Sequence, residues 1–242
     1  MTKFFVSERE FHVFPHCAES YFGIFRSYFK DLDLHLPQLE SIDLSNSGWL
    51  SNHSLQAIGK SDKLKRVILR GCKRIGEVFV YTALATRFGF QNTTYIDLRD
   101  TFGNLDLFYC LSYKAYKFTY IMYFSVGDSE VTCFGRLPKV THLYFGRTSN
   151  VQMAAPSQSE SNGRITDRGV LSMCLGPIDA NDSGKILNLC LANTDVTDDC
   201  LSKLAAAFPL KVLDVRGTQI TGLGIESFTQ KRPACEVIHD GI

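Results

Sequence analysis

The sequence predicts an α/β fold in which one short strand and one helix are written repeatedly, so that the strands form a curved parallel sheet on the concave side and the helices line the convex side. Three observations carry this expectation. From Ile186 to Phe228 one apolar pattern is written twice: Ile186, Leu189, Leu191 and Thr194 precede Val196, Leu201 and Leu204, and Leu210, Leu213, Val215 and Thr218 precede Ile220, Leu223 and Phe228. The same offsets recur upstream at Leu39, Ile42, Leu44 and Ser47, then at Leu64, Val67, Leu69 and Cys72. Finally, 242 residues exceed the commonest size for one globular core, and a stack that grows by adding units accommodates that length as one continuous domain.

A period of about 20 to 29 residues with the core L-x-x-L-x-L-x-x-small is the signature of a leucine-rich repeat. A solenoid of such repeats is therefore expected over residues 39–242, with about six to seven units, preceded by an N-terminal helical cap over residues 1–38. The cap is suggested by crowded aromatics, among them Phe4, Phe5, Phe11 and Phe14. Between Cys17 and Leu32, the residues Tyr21, Phe22, Phe25, Tyr28, Phe29 and Leu32 recur at three- and four-residue spacing, as on an amphipathic helix. Such a helix covers the open end of a stack, or docks a second protein.

The first unit places Leu55 and Ile58 in its helix, and the second places Ile75, Val78 and Leu84. A third reads Thr93, Ile96, Leu98 and Thr101, with a polar opening position. A degenerate unit is expected at Phe118, Ile121, Tyr123 and Val126, ahead of the strand at Val140, Leu143 and Phe145. The segment Ser149 to Gly163, rich in Ser, Asn and Gln, reads as an insertion looping out of the array before a helix over Ile165 to Leu175. Another polar joint, Gly176 to Lys185, leads into the repeats at Ile186. After Phe228, Pro233 stops the helix, and Val237 with Ile238 supplies a last half-strand.

Composition bounds function loosely. Charged residues make up 21% and hydrophobic residues 45%, and a formal net charge of +1 offers no global attraction to nucleic acid or anionic lipid, so neither is expected as a partner. No stretch has the length of a membrane span or a signal-peptide core. Eight scattered cysteines without a C-x-x-C pair read as reduced thiols of a cytoplasmic or nuclear protein, and the sequons at Asn52, Asn92 and Asn181 read as chance matches.

The post-strand segments share a further regularity. Ile165-Thr166, Val196-Thr197 and Ile220-Thr221 each precede a turn and a helix, where a threonine hydroxyl can cap. Together with Cys72 in the small slot of GCKRI, these units resemble the cysteine-containing class of leucine-rich repeats, best known from the F-box/leucine-rich-repeat substrate receptors of cullin-RING ubiquitin ligases. The resemblance runs from about Leu39 to Ile238. It implies a protein- or peptide-binding role and, by analogy, a place among cullin-ligase components, although residues before Leu39 hold no F-box and Val13, Cys17 and Tyr21 do not make a full elongin-binding box.

Residues flanking the inner strand leucines should look out of the concave face. Read unit by unit, the middle of that face is aromatic and its edges are charged: Arg66, Arg70, Tyr95, Asp97, Arg99, Tyr120, Phe124, His142 and Tyr144 form the candidate partner-binding set. Tyr, Phe and Arg are residue types that dominate interface hot spots. The same rings could instead lie under the insertion or pack on one another.

Catalytic and metal readings find little support. Gly59-Lys60-Ser61 ends like a phosphate loop but has Ser54 where the leading glycine belongs. His12, His16 and Cys17 lack a fourth metal ligand nearby, and Asp195, Asp198 and Asp199 sit where acidic residues complement a helix start. The run Lys60, Lys63, Lys65, Arg66, Arg70, Lys73 and Arg74 reads as a solvated basic face or a contact for an acidic partner. No enzyme activity, cofactor or metal is expected; the two functions in view are a protein-interaction module, such as a substrate-recognition subunit of a ubiquitin ligase, and a scaffold subunit of a larger complex.

Overall fold

The computed structural model describes residues 4–6, 10–13, 37–48, 50, 52–72, 75, 89–101, 127–146, 165–175 and 185–241. Nine strands of three or four residues form one open sheet in chain order: β1 (Phe4–Val6), β2 (Glu10–Val13), β3 (Ser41–Asp43), β4 (Arg66–Ile68), β5 (Tyr95–Asp97), β6 (His142–Tyr144), β7 (Asn188–Cys190), β8 (Val212–Asp214) and β9 (Glu236–Ile238). Only β1 and β2 are antiparallel; every pairing from β2 to β9 is parallel. Parallel neighbours in chain order require a crossover, and among the described residues a helix lies between β3 and β4 and in each connection from β5 to β9. The described helices are α1 (Asn52–Gly59), α2 (Asp128–Gly135), α3 (Asp167–Cys174), α4 (Leu201–Ala207, entered through a 3-10 turn at Asp198–Cys200) and α5 (Gly222–Lys231). This is an α/β architecture.

The register is uniform. Ile42, Val67, Ile96, Leu143, Leu189 and Leu213 are aligned partners at the centres of consecutive strands, and all are buried. Leu44, Leu69, Leu98, Phe145, Leu191 and Val215, two residues on, are buried with them. They share one core with Leu55 and Ile58 of α1, Val131 and Phe134 of α2, Val170 and Met173 of α3, Leu204 of α4 and Phe228 of α5. The apolar offsets of the sequence thus mark the sheet face that meets the helices. From α2 to α5 each helix also packs against the next. The first and third strand positions look the other way.

Past each strand the ladder continues for a further turn. Leu44 N–H donates to Ile68 O, Asn46 to Arg70, Gly71 to Arg99, Asp100 to Gly146 and Asn193 to Arg216. The corner needs left-handed backbone, supplied by Asn46, Asp100 and Asn193 (φ 55–58°) or by glycine at Gly71 and Gly217 (φ 71° and 65°). In three units the threonine that follows closes the turn through its own hydroxyl, whereas Cys72 reaches back to the preceding unit and the buried Ser47 hydroxyl has no hydrogen-bond partner among the described residues. Thr101, Thr194 and Thr218 hydroxyls donate to the carbonyls of Leu98, Leu191 and Val215, and the Cys72 thiol donates to Leu44 O at 3.0 Å. The polar opening residue Thr93 is accounted for in the same way, since its buried hydroxyl donates to Leu64 O at 3.1 Å.

Three differences from the sequence reading follow. The amino-terminal stretch contributes the strand pair β1–β2, with β2 added to the β3 edge, where a helical cap was expected; the cap helix at 17–32 lies outside the described residues. The ladder passes directly from Tyr95–Asp97 to His142–Tyr144, so no strand from the degenerate unit stands between them, and Phe118 to Val126 lie outside the described residues. Helix α2 was not anticipated. It begins at Asp128 with the Gly127 N–H donating to Glu130 Oε2 at 3.0 Å, half of a capping box, and buries Val131 and Phe134 three residues apart.

Candidate functional site

The first and third positions of β4, β5 and β6 place Arg66 and Ile68, Tyr95 and Asp97, and His142 and Tyr144 side by side on the sheet face away from the helices. Neighbouring strands lie about 4.8 Å apart, a spacing that lets flat side chains stand on edge and stack across the ladder. They do so here. The Arg66 guanidinium lies 3.7 Å from the Tyr95 ring centre, and on the other side Tyr95 stacks on His142 at 5.8 Å with 27° between planes. Tyr144 contacts Tyr95 at 5.2 Å, and the Arg99 guanidinium lies 5.2 Å from the Tyr144 ring centre. Arg66, Tyr95, His142, Tyr144 and Arg99 thus form one continuous array, and the expectation that these rings pack on one another is met while their outer edges stay at the surface. Burial pushes the Tyr95 phenol up, helped by the nearby Asp97 carboxylate and opposed by Arg66, so it stays a neutral donor.

The carboxyl ends of the strands are built differently. Asp97 accepts from the Arg99 N–H at 3.1 Å and from its guanidinium at 2.9 and 2.6 Å. Asp214 holds Arg216 through the same three contacts at 3.3, 2.9 and 2.8 Å, and Asp43 accepts from the Ser45 N–H and hydroxyl. Burial works to raise the Asp214 carboxyl, but the Arg216 hydrogen bonds outweigh it and leave it below its ordinary value. Arg70, whose own strand offers Ile68 at the acidic position, pairs instead with Asp100 of the next unit at 3.0 Å.

Asp97 therefore has to be moved out of the partner-binding set. Alternation along the strand points it outward, but the fork of Arg99 folds over it and leaves it 3% exposed. Cys190 and Ala192, at the matching positions of the β7 unit, are likewise buried, each 4% exposed. The Cys190 thiol sits against Asp214, 3.5 Å from Oδ2, with Arg99 nearby. Of the remaining set, Arg66, Arg70, Tyr95, Arg99, His142 and Tyr144 are brought together or lie one unit apart, whereas Tyr120 and Phe124 lie outside the described residues.

Of the other candidate chemistry, His16 and Cys17 lie outside the described residues, and the remaining described groups make local contacts. Gly59 ends α1 and Lys60 turns, with the buried Phe90 ring packed where a Gly59 side chain would go. Within the basic run Lys65 pairs with Glu40 at 3.0 Å and Lys63 donates to Gln38 Oε1 at 2.7 Å; Lys73 and Arg74 lie outside the described residues. Asp198 bonds to Thr221 and Asp199 lies in the same 3-10 turn. Among the described residues no group of three His, Cys, Asp or Glu could hold a metal, and no helix is long and apolar enough to cross a membrane.

Burial pushes the Cys72 and Cys190 thiols up to about 12, so both stay protonated and poor nucleophiles near neutral pH. Iodoacetamide at pH 7.5, read by peptide mass spectrometry, is expected to modify neither within minutes in the native protein and both after denaturation. Fast native labelling of Cys190 would mean that the Asp214 and Arg99 cover opens readily.

No protein-family model matches the chain, and no curated protein shows significant similarity to it.

Proposed function

We propose that the chain is a leucine-rich-repeat solenoid, of the class its TDR- and TDD-type helix starts resemble, acting in the cytoplasm or nucleus as a non-catalytic protein-interaction module. The supporting observation is the array across β4 to β6, where Arg66, Tyr95, His142, Tyr144 and Arg99 gather on the sheet face opposite the helices. Rings held by mutual stacking lose little rotamer freedom when a partner docks, and aromatic and arginine side chains supply most of the energy at such contacts. The recognition subunit of a ubiquitin ligase is the setting that the repeat resemblance suggests.

Cross-linking and mass spectrometry on the native protein test that setting. Recovery of a cullin and an adaptor supports it, whereas stoichiometric subunits without ubiquitin machinery favour a scaffold. For the captured partner, Tyr144→Ala is expected to weaken binding at least tenfold, the loss of about 1.4 kcal/mol or more that a hot-spot residue carries. Arg99→Ala should weaken it too, but it also strands the buried Asp97 carboxylate, so its folding must be checked by circular dichroism. Full affinity in a folded Tyr144→Ala variant would remove this face from the proposal.

A further inference from the structure

The charges on this face are not distributed evenly. At the carboxyl ends of the strands each described arginine is matched: Arg99 by Asp97, Arg216 by Asp214 and Arg70 by Asp100. At the amino ends of β4 to β6 the cations keep their charge. Arg66 is exposed and makes no ion pair among the described residues, its partner being the Tyr95 ring. Lys63 and Lys139, each three residues before its strand, donate to the neutral amide oxygens of Gln38 and Asn92 at 2.7 and 2.6 Å. Glu40 is engaged by Lys65, and among the described residues Asp62 is an exposed carboxylate next to Lys63 in the chain.

The chemistry presented there is a set of donors. Because Arg66 covers one face of Tyr95 and His142 the other, the ring faces are occupied and the ring edges point outward. Aromatic edges carry the positive end of the ring quadrupole. The Arg66 guanidinium, held 3.7 Å over the Tyr95 ring centre and in no ion pair among the described residues, has N–H donors to offer, and a guanidinium fork matches a carboxylate bidentately. A single-stranded nucleic acid would need open ring faces for its bases, and Tyr95 has none to offer.

We infer that the amino-terminal half of this face, centred on Arg66 and Tyr95 and bordered by Lys63 and Lys139, receives an acidic peptide segment of a protein partner, with an Asp or Glu carboxylate on the Arg66 fork. The inference rests on reading the face as a binding surface and adds the chemical class of what binds. Charge complementarity over exposed cations also makes the association salt-dependent.

Fluorescence anisotropy on the full chain with fluorescein-labelled decaglutamate tests it, with labelled decauridylate as the competing class. Saturable binding is expected, weakened by salt, weakened at least tenfold by Arg66→Glu and less than twofold by Lys231→Glu, an equal charge reversal on α5. Arg66 is exposed, so the variant should keep its thermal midpoint, and circular dichroism checks this. Absence of saturable binding, equal losses in the two reversals, or tighter Arg66-dependent binding of decauridylate each overturns the acidic-peptide assignment. If the decaglutamate assay fails while capture of a native partner still depends on Tyr144, the binding surface stands and only the partner class falls; if both fail, the surface reading falls with it.

Discussion

Replacing Gly146 by alanine is expected to lower the unfolding free energy by about 2–4 kcal/mol, from left-handed strain of roughly 1 kcal/mol and overpacking of about 1–3 kcal/mol against a rigid neighbour. Gly146 has φ of 89°, and an added Cβ would fall on the Ala192 carbonyl oxygen and within 2.9 Å of the Ala192 amide nitrogen. Both are backbone atoms of the next unit, so no side chain can turn aside to make room. The site is peculiar to this unit. Equivalent turns in the other units carry Ser45, Arg70, Arg99, Ala192 and Arg216, and their left-handed residue comes one position later. Gly217→Ala is the control: its φ is 65°, and the Cβ would meet the side-chain oxygen of Asn193, which can swing away. A smaller loss, about 1–2 kcal/mol, is expected there. Urea denaturation followed by circular dichroism compares the two. Equal midpoints would show that the close approach of Gly146 to Ala192 is relaxed at little cost.

What the sequence made legible was local and periodic. The offsets that place aliphatic residues at strand centres are short, repeat at a nearly constant interval and are imposed by burial, so Ile42, Val67, Ile96, Leu143, Leu189 and Leu213 could be assigned without knowing which strand lies beside which. Adjacency is not written in that way. Tyr95 and His142 are 47 residues apart in the chain and register partners in the sheet, and the offsets of Phe118, Ile121 and Val126 satisfied the strand template without placing a strand between them. The strands β1 and β2 were hidden for a related reason: three or four residues are too few for alternation to register against a background of phenylalanine. At the candidate site, strand alternation correctly put Arg66, Tyr95, His142 and Tyr144 on one face. It failed for Asp97 because exposure there is decided by Arg99 two residues later, whose fork reaches back over the carboxylate. An Asp-x-Arg spacing at the end of a strand, present at Asp97 and again at Asp214, was the available signal.

The second large effect is expected along the helix starts, where a carboxylate of one unit holds the threonine of the next. Asp128 accepts from the Thr166 N–H at 2.7 Å and its hydroxyl at 2.8 Å; Asp167 accepts from Thr197 at 2.9 and 2.7 Å; Asp198 accepts from Thr221 at 2.8 and 2.6 Å. Each threonine hydroxyl also accepts a backbone N–H of its own helix, from Arg168, Asp199 or Gly224, so it caps one helix while bonding to the previous one. The third residue past each threonine must be small, because the carboxylate occupies that space: a Cβ on Gly169 would come within 2.5 Å of Asp128 Oδ1, and Gly224 packs against Asp198 in the same way. In the middle unit the position is Cys200, whose thiol is pushed up by burial and by the facing Asp167. Repeat stacks are stabilised by such nearest-neighbour terms. Asp167→Ala removes two charge-assisted bonds and leaves the Thr197 amide without its acceptor, a cost of about 2–3 kcal/mol, and Thr197→Val loses the cap and one of those bonds for about 1–2 kcal/mol. If the two residues act through each other, the double variant should cost less than the sum of the singles by about 1–2 kcal/mol. Strict additivity in urea denaturation would mean that the contact between Asp167 and Thr197 contributes nothing beyond what each residue supplies within its own helix.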